Sequence, residues 1–229
     1  MTSDSRLELF VYPGFTALDL VGPHHMLSGL PMVKKVIVSM DGKPVTSDTG
    51  LTIVPDAKAS DMEGQAFGIF APGGTVGTLA AMQDKAVRDY FTRREPDCRF
   101  VMSVCTGSLI LGAAGLLKGY KATSHWLTVD LLKRFGATPT KARVVTDRNR
   151  VTGAGVTAGM DFGLSMVMDL MGPEHASAVQ LLAEYNPEPP LQSGDPDTAS
   201  RTVVDLVRKH TAGFTGSLDS VLSVENYLQ

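Results

Sequence analysis

The stretch Ser103-Val104-Cys105-Thr106-Gly107 follows the apolar run Phe100-Val101-Met102 and precedes Ser108-Leu109-Ile110-Leu111. Cys105 therefore falls on the hinge between a buried strand and a helix. A strand, a nucleophile and a helix in that order, with small neighbours such as Ser103 and Gly107, form the sharp turn called a nucleophile elbow. The helix after the turn aims unpaired N–H groups and a positive dipole end at the sulfur, which can lower a thiol pKa from about 8.5 to about 3.5–7.5. A buried packing thiol is the competing reading, because free cysteines are among the most buried residues. The hinge position favours the nucleophile.

A thiol at this place needs a proton carrier and stabilising donors. Asp19 follows the first apolar run and is flanked by Leu18, Leu20 and Val21, so it is expected to be buried rather than to cap a helix in solvent. Burial and a nearby thiolate would raise its pKa and let it hold a proton at neutral pH. Gly74, after the run 67–71, and Thr106, directly after the cysteine, are candidate backbone N–H donors to an oxyanion. The turn Pro72-Gly73-Gly74 is equally consistent with simple strand termination. Val156, after Gly153-Ala154-Gly155, is a candidate apolar pocket wall. Asp161 and Glu184 read as capping or packing residues inside helices.

Several chemistries are excluded or disfavoured. The five histidines, His24, His25, His125, His175 and His210, show no Cys/His pairing at metal-ligand spacing, so no metal is expected. Cys98 and Cys105, if both lie on one strand, stand about 23 Å apart, too far for a bridge; both are expected to be free thiols in a reducing compartment. Gly153-Ala154-Gly155 lacks the third glycine and the acidic partner of a dinucleotide site, and no cofactor is expected. With 229 residues, 43% hydrophobic, 20% charged and a formal charge of −3, the chain has no basic stripe for nucleic acid. No apolar run reaches the ~18 residues of a membrane span, and no signal segment is evident. A cytoplasmic location follows as an expectation.

The elements that must position these residues alternate along the chain. Runs 7–12, 33–40, 67–71 and 100–104 read as strands, with short strands at 143–146 and 150–152 around Asp147-Arg148-Asn149. Helical stretches are expected at 16–27, kinked by Pro23, and at 76–82, 84–94, 106–114 and 126–135. Further helices are expected at 156–171, 173–185 and 198–211. Residues 186–197 form a proline-rich connection, and the tail after Gly213 has weak signals and is expected to be mobile. Strands alternating with helices imply a parallel sheet covered on both faces. One domain over 1–229, with its core at about 7–212, is the simplest organisation.

These motifs carry a resemblance. Ser103–Ser108 with Leu111-Gly112-Ala113-Ala114-Gly115-Leu116-Leu117 and Ala122-Thr123-Ser124-His125-Trp126 resemble the ThiJ/PfpI superfamily. Pro13-Gly14-Phe15, Asp19-Leu20-Val21-Gly22-Pro23, Ala71-Pro72-Gly73-Gly74 and Thr152–Asp161 extend the likeness in order over most of 7–185. Within the superfamily the chain most resembles bacterial isocyanide hydratases, which share an aspartate where many relatives have glutamate. The resemblance implies a flavodoxin-like three-layer α/β sandwich with a mostly parallel central sheet, usually a homodimer. It also implies a cofactor-free cysteine enzyme that hydrates a small-molecule isocyanide to an N-formamide. Protease-like members place a histidine directly after the cysteine; this chain has Thr106. Two alternatives remain in view: a ligand-sensing domain like those of AraC-type regulators, and a glyoxalase- or deglycase-type stress protein. His125 could approach the pocket, but a wall histidine beside Trp126 is the better reading.

Overall fold

The computed structural model describes residues 5–224. The strands are β1 (Ser5–Phe10), β2 (Val33–Ser39), β3 (Val45–Thr46), β4 (Thr52–Ile53), β5 (Ala57–Lys58), β6 (Ala66–Ala71), β7 (Cys98–Val104), β8 (Lys121–Ala122), β9 (Thr138–Pro139), β10 (Val144–Asp147) and β11 (Arg150–Gly153). The helices are α1 (Ala17–Met26), α2 (Val76–Gln83), α3 (Lys85–Arg94), α4 (Gly107–Ala113), α5 (Ala158–Met171), α6 (Pro173–Leu182) and α7 (Arg201–Val224).

Seven strands form the central sheet in the order β10-β11-β7-β6-β1-β2-β5, and only the β10–β11 hairpin is antiparallel. The inner strands have apolar side chains on both faces because both faces are covered: every residue of β6 is buried. Helix α1 packs on α5, which packs on α6, while α2, α3 and α4 pack on one another. The fold is the flavodoxin-like α/β arrangement that the motifs implied.

The chain leaves β1 towards β2 and leaves β6 towards β7 in opposite directions across the sheet. Such a reversal opens a crevice at the carboxyl ends of the strands, where α/β proteins bind ligands. Here the β1–α1 and β6–α2 connections are stitched together. Phe15 and Gly74 form an isolated bridge, and the Thr16 N–H donates to the Gly73 carbonyl at 2.8 Å. The crevice therefore has a fixed floor rather than two independent loops.

Far from that crevice, β1 carries a buried charge pair. Arg94, 1% exposed, donates to Glu8 Oε1 at 2.8 Å, and Tyr90 Oη donates to Glu8 Oε2 at 2.9 Å. The pair explains how a glutamate can be buried in a central strand without an uncompensated charge.

Three expectations need correction. The stretch 126–135 is turn followed by a 3₁₀ helix at Val129–Phe135, although it stops at Gly136 in the left-handed conformation as the glycine implied. The last helix does not end near 211 but runs to Val224, because Leu218 and Leu222 are buried against the core. The expected mobile tail is thus helical through its first part; residues 225–229 lie outside the described residues. Glu184 follows α6 at a positive φ of 49°, rather than lying inside it.

Candidate active site

Cys105 occupies the turn between β7 and α4 with φ 57°, a left-handed conformation that a non-glycine residue rarely adopts. Its N–H donates to the carbonyls of Gly153 (3.1 Å) and Ala154 (2.7 Å), so β11 anchors the bend. Ser108 and Ser124 hydroxyls both donate to its carbonyl, at 3.2 and 3.1 Å. Gly107 completes the turn: a Cβ there would lie 2.1 Å from the Ala71 carbonyl oxygen. Only glycine lets α4 start so close to β6.

Asp19 sits in the first turn of α1 with no exposed surface. The Gly73 N–H donates to its Oδ2 at 2.9 Å, and Oδ1 is buried without a hydrogen-bond partner among nitrogen or oxygen atoms. One point in space reports how tightly the site is built. A Cβ on Gly73 would lie 2.7 Å from Asp19 Oδ2, 2.7 Å from the Thr106 nitrogen and 2.8 Å from Cys105 Cβ. Carboxyl, thiol and amide thus converge around a missing side chain.

Their acidities are linked. Burial raises the Asp19 pKa from 3.8 to about 7, against the opposing hydrogen bonds from Gly73 and Cys105. Burial also raises the Cys105 thiol pKa, and the Asp19 charge raises it further, while the N–H and hydroxyl of the neighbouring Thr106 oppose this. The lowered thiol pKa expected from a helix start is therefore not the net result. The thiol is only 5% exposed, and α4 has seven residues, so desolvation outweighs the helix end. A carboxyl and a thiol coupled in this way titrate as a pair, and the carboxyl is the first of the two to release its proton, near pH 7.

Of the residues singled out in the sequence, Cys105, Asp19, Thr106 and Gly74 come together. The Gly74 N–H, expected to face an oxyanion, instead donates to Thr106 Oγ1 at 3.0 Å. Val156 packs on the core and lines an adjoining cavity of about 600 Å³ with Ser124, His125, Trp126, Ala154 and Arg208. Neither Cys105 nor Asp19 lines that cavity. His125 packs beside Trp126, with ring centroids 5.9 Å apart, and burial lowers its pKa. His24 and His25 are exposed on α1. Asp161 pairs with Arg143 and accepts from Tyr185 Oη at 3.0 Å, a packing role. Both cysteines are free and buried, and no cluster of three metal-ligating side chains occurs among the described residues.

Sequence reasoning missed Gly73, Thr78 and Tyr12. Gly73 was visible as the other half of a glycine pair, and nothing in the sequence separates the two glycines. Thr78, on the first turn of α2, and Tyr12, just after β1, carry no motif; only the fold brings the Thr78 hydroxyl to Thr106 and the Tyr12 hydroxyl to Thr78.

Residues 5–169 match the DJ-1/PfpI family. The chain belongs to that family. It is 46% identical over 208 residues to an isonitrile hydratase of Pseudomonas putida, covering 90% of each chain. A solved ThiJ/PfpI family protein from Pseudomonas syringae superposes with a TM-score of 0.93 at 51% identity, covering 96% of this chain and 90% of the other. A transcriptional regulator of Pseudomonas aeruginosa is 33% identical over 70% of this chain and 42% of its own length.

Proposed function

We propose that this DJ-1/PfpI protein is an isocyanide hydratase that adds water to R–N≡C and releases R–NH–CHO. The observation that carries the chemistry is the buried Asp19 carboxyl set against a cysteine on a positive-φ elbow. The likeness to the Pseudomonas putida isonitrile hydratase over nine-tenths of both chains supports the substrate class.

The terminal carbon of an isocyanide is electrophilic and offers no hydrogen-bonding handle, so a soft sulfur nucleophile in an apolar setting suits it. In this reading Cys105 sulfur attacks that carbon while the proton shared with Asp19 moves to it, giving the thioimidate R–N=CH–S. Asp19, now ionised, takes a proton from water as the water oxygen adds to the same carbon and passes that proton to the imine nitrogen, and it recovers the remaining hydroxyl proton as the adduct collapses. Collapse of the tetrahedral adduct breaks the C–S bond, forms the formamide and returns the sulfur to the pair. The Thr106 N–H and hydroxyl, which favour the ionised sulfur, stabilise charge on the adduct. The Gly74 amide supports this indirectly by holding the Thr106 hydroxyl. No step in this route calls for a cofactor.

The chain works in this reading as one domain acting in the cytoplasm, and as a homodimer. Exposed Leu18 and Val21 on α1 and Met168 and Met171 on α5 give these packed helices an apolar outer face suited to a second copy. Multi-angle light scattering tests the dimer. The deciding assay for function measures formamide formed from an aromatic isocyanide beside methylglyoxal consumption. Formamide formation lost in Cys105→Ala supports the hydratase; methylglyoxal turnover alone would favour a glyoxalase-type enzyme, and binding without turnover a ligand-sensing domain.

A further inference from the structure

The β1–α1 connection, which carries Asp19 to the cysteine, is held from two sides. The β6–α2 connection holds it on one side through the Phe15–Gly74 bridge. On the other side stands the β3–β4 hairpin, which lies outside the central sheet and has no role in the proposed reaction. Three successive residues of the connection bond to that hairpin. The Gly14 N–H donates to the Thr46 carbonyl at 2.9 Å, and the Phe15 carbonyl accepts from the Asp48 N–H at 2.9 Å. The Thr16 hydroxyl donates to Asp48 Oδ2 at 2.6 Å. The hairpin tip is braced internally: the Ser47 N–H donates to the Leu51 carbonyl at 2.8 Å, and the Leu51 N–H donates to Ser47 Oγ at 3.0 Å.

Thr16 is the N-cap of α1, where a threonine hydroxyl ordinarily accepts from an N–H of the first turn. Here it makes no such bond and is directed at the Asp48 carboxylate instead, a charge-assisted contact stronger than a neutral one. The Thr16 main chain meanwhile closes a ring on the acid. Its N–H donates to the Gly73 carbonyl at 2.8 Å, its carbonyl accepts from the Asp19 N–H at 3.1 Å, and the Gly73 N–H donates to Asp19 Oδ2 at 2.9 Å. Moving Thr16 therefore moves both ends of the Asp19–Gly73 bond.

We infer that Asp48 is a positioning residue for the proton carrier: it fixes Thr16 from the solvent side, and Thr16 fixes the Gly73 N–H against the Asp19 carboxyl. Asp48 is exposed and hydrogen-bonds to neither Asp19 nor Cys105, so its hold on the acid runs through Thr16. The inference rests on the reading of Asp19 as the proton carrier. A misplacement of about 1 Å can cost roughly 100-fold in rate, so a displacement of a fraction of that is enough to be measured.

The test begins with Thr16→Val, which keeps the branched shape and does not uncap α1, because the Thr16 hydroxyl caps nothing. Two readouts are needed: kcat and KM for formamide formation, and hydrogen exchange of the Gly73 amide followed by NMR. Thr16→Val is expected to lower kcat about tenfold, with KM changed by less than about twofold, and to speed Gly73 exchange about tenfold. Thr16→Ser, which keeps the hydroxyl, is expected to restore both. Asp48→Ala is expected to repeat the losses of the valine variant. Because the two substitutions break one bond, the double variant should lose no more than about the larger single loss. Parental kcat and Gly73 exchange in Thr16→Val overturn the inference, as do losses that multiply in the double variant, whatever happens to the melting temperature. Should Thr16→Val not fold, Asp48→Ala beside Asp48→Asn, which keeps an acceptor oxygen, carries the same test: the alanine variant should lose activity and Gly73 protection, and equal behaviour of the two overturns the inference. The exchange arm does not depend on isocyanide. If the parent forms no formamide, the hydratase reading fails, while Gly73 exchange still decides the role of Asp48.

Discussion

The Gly73 N–H holds Asp19 Oδ2 at 2.9 Å, and a Cβ on Gly73 would stand only 2.7 Å from that same oxygen. Gly73 therefore both orients the carboxyl and leaves the space that the carboxyl, the Thr106 amide and the cysteine share. Gly73→Ala is expected to push Asp19 and Cys105 apart and lower kcat/KM by about 100-fold, the scale of a 1 Å misplacement. Steady-state kinetics beside thermal melting check this. An alanine variant with parental kinetics would show that the close approach is irrelevant to catalysis.

The two cysteines should separate cleanly. Cys105→Ala is expected to abolish turnover and leave the fold intact, whereas Cys98→Ala keeps turnover within about twofold of the parent. Cys98 begins β7 while Cys105 follows its end, and burial together with the Glu8 charge pushes the Cys98 pKa up to about 12. Equal losses in the two variants would remove the nucleophile assignment.

The sequence conveyed the elbow well, because its signal is local: an apolar run, a cysteine, small residues and a helix. Asp19 was legible for a related reason, since apolar neighbours implied burial. The hydrogen-bond directions were not legible. Gly73 and Gly74 are chemically identical, and only the crossing of the β1–α1 and β6–α2 connections assigns one N–H to Asp19 and the other to Thr106. The extension of α7 escaped for another reason: Gly213 and Gly216 interrupt its pattern, and burial of Leu218 and Leu222 outweighs their low helix propensity. The net effect on the thiol also needed the fold, because the depth of burial set its sign.

Asp19 should leave a signature in stability as well. Its folded pKa of about 7 lies above the 3.8 of an unperturbed aspartate, so the folded state binds its proton more tightly than the unfolded state. Its contribution is then fully present below pH 3.8 and is lost as pH rises through about 7. Asp19→Asn carries no such charge. It is expected to be more stable than the parent at pH 8, by about 1–3 kcal/mol given ~1.4 kcal/mol per pKa unit and sharing of the proton with Cys105. That advantage should shrink towards pH 4, while activity falls by roughly 10²–10⁴-fold at neutral pH. Denaturant titrations at the two pH values test the sign. A stability difference that does not change with pH would mean that Asp19 is ionised throughout.

Asp19→Glu separates placement from acidity. The two carboxyls differ little in intrinsic strength, but glutamate is one methylene longer. In this site the extra length has nowhere to go. Oδ2 is pinned by the Gly73 N–H, Oδ1 has no nitrogen or oxygen partner, and the side chain has no exposed surface. The longer carboxyl must either break the Gly73 bond or advance towards the sulfur, and each displaces the acid by about 1 Å. Isocyanide hydration is therefore expected to fall about 100-fold, with the pH dependence of what remains still set by a buried carboxyl. Formamide formation and methylglyoxal consumption, measured for parent and variant under one set of conditions, provide the check. If Asp19→Glu hydrates isocyanides at the parental rate, the position of the carboxyl does not distinguish a hydratase from its glutamate-bearing relatives. A parental rate combined with new methylglyoxal turnover would shift the assignment towards the glyoxalase-type reading.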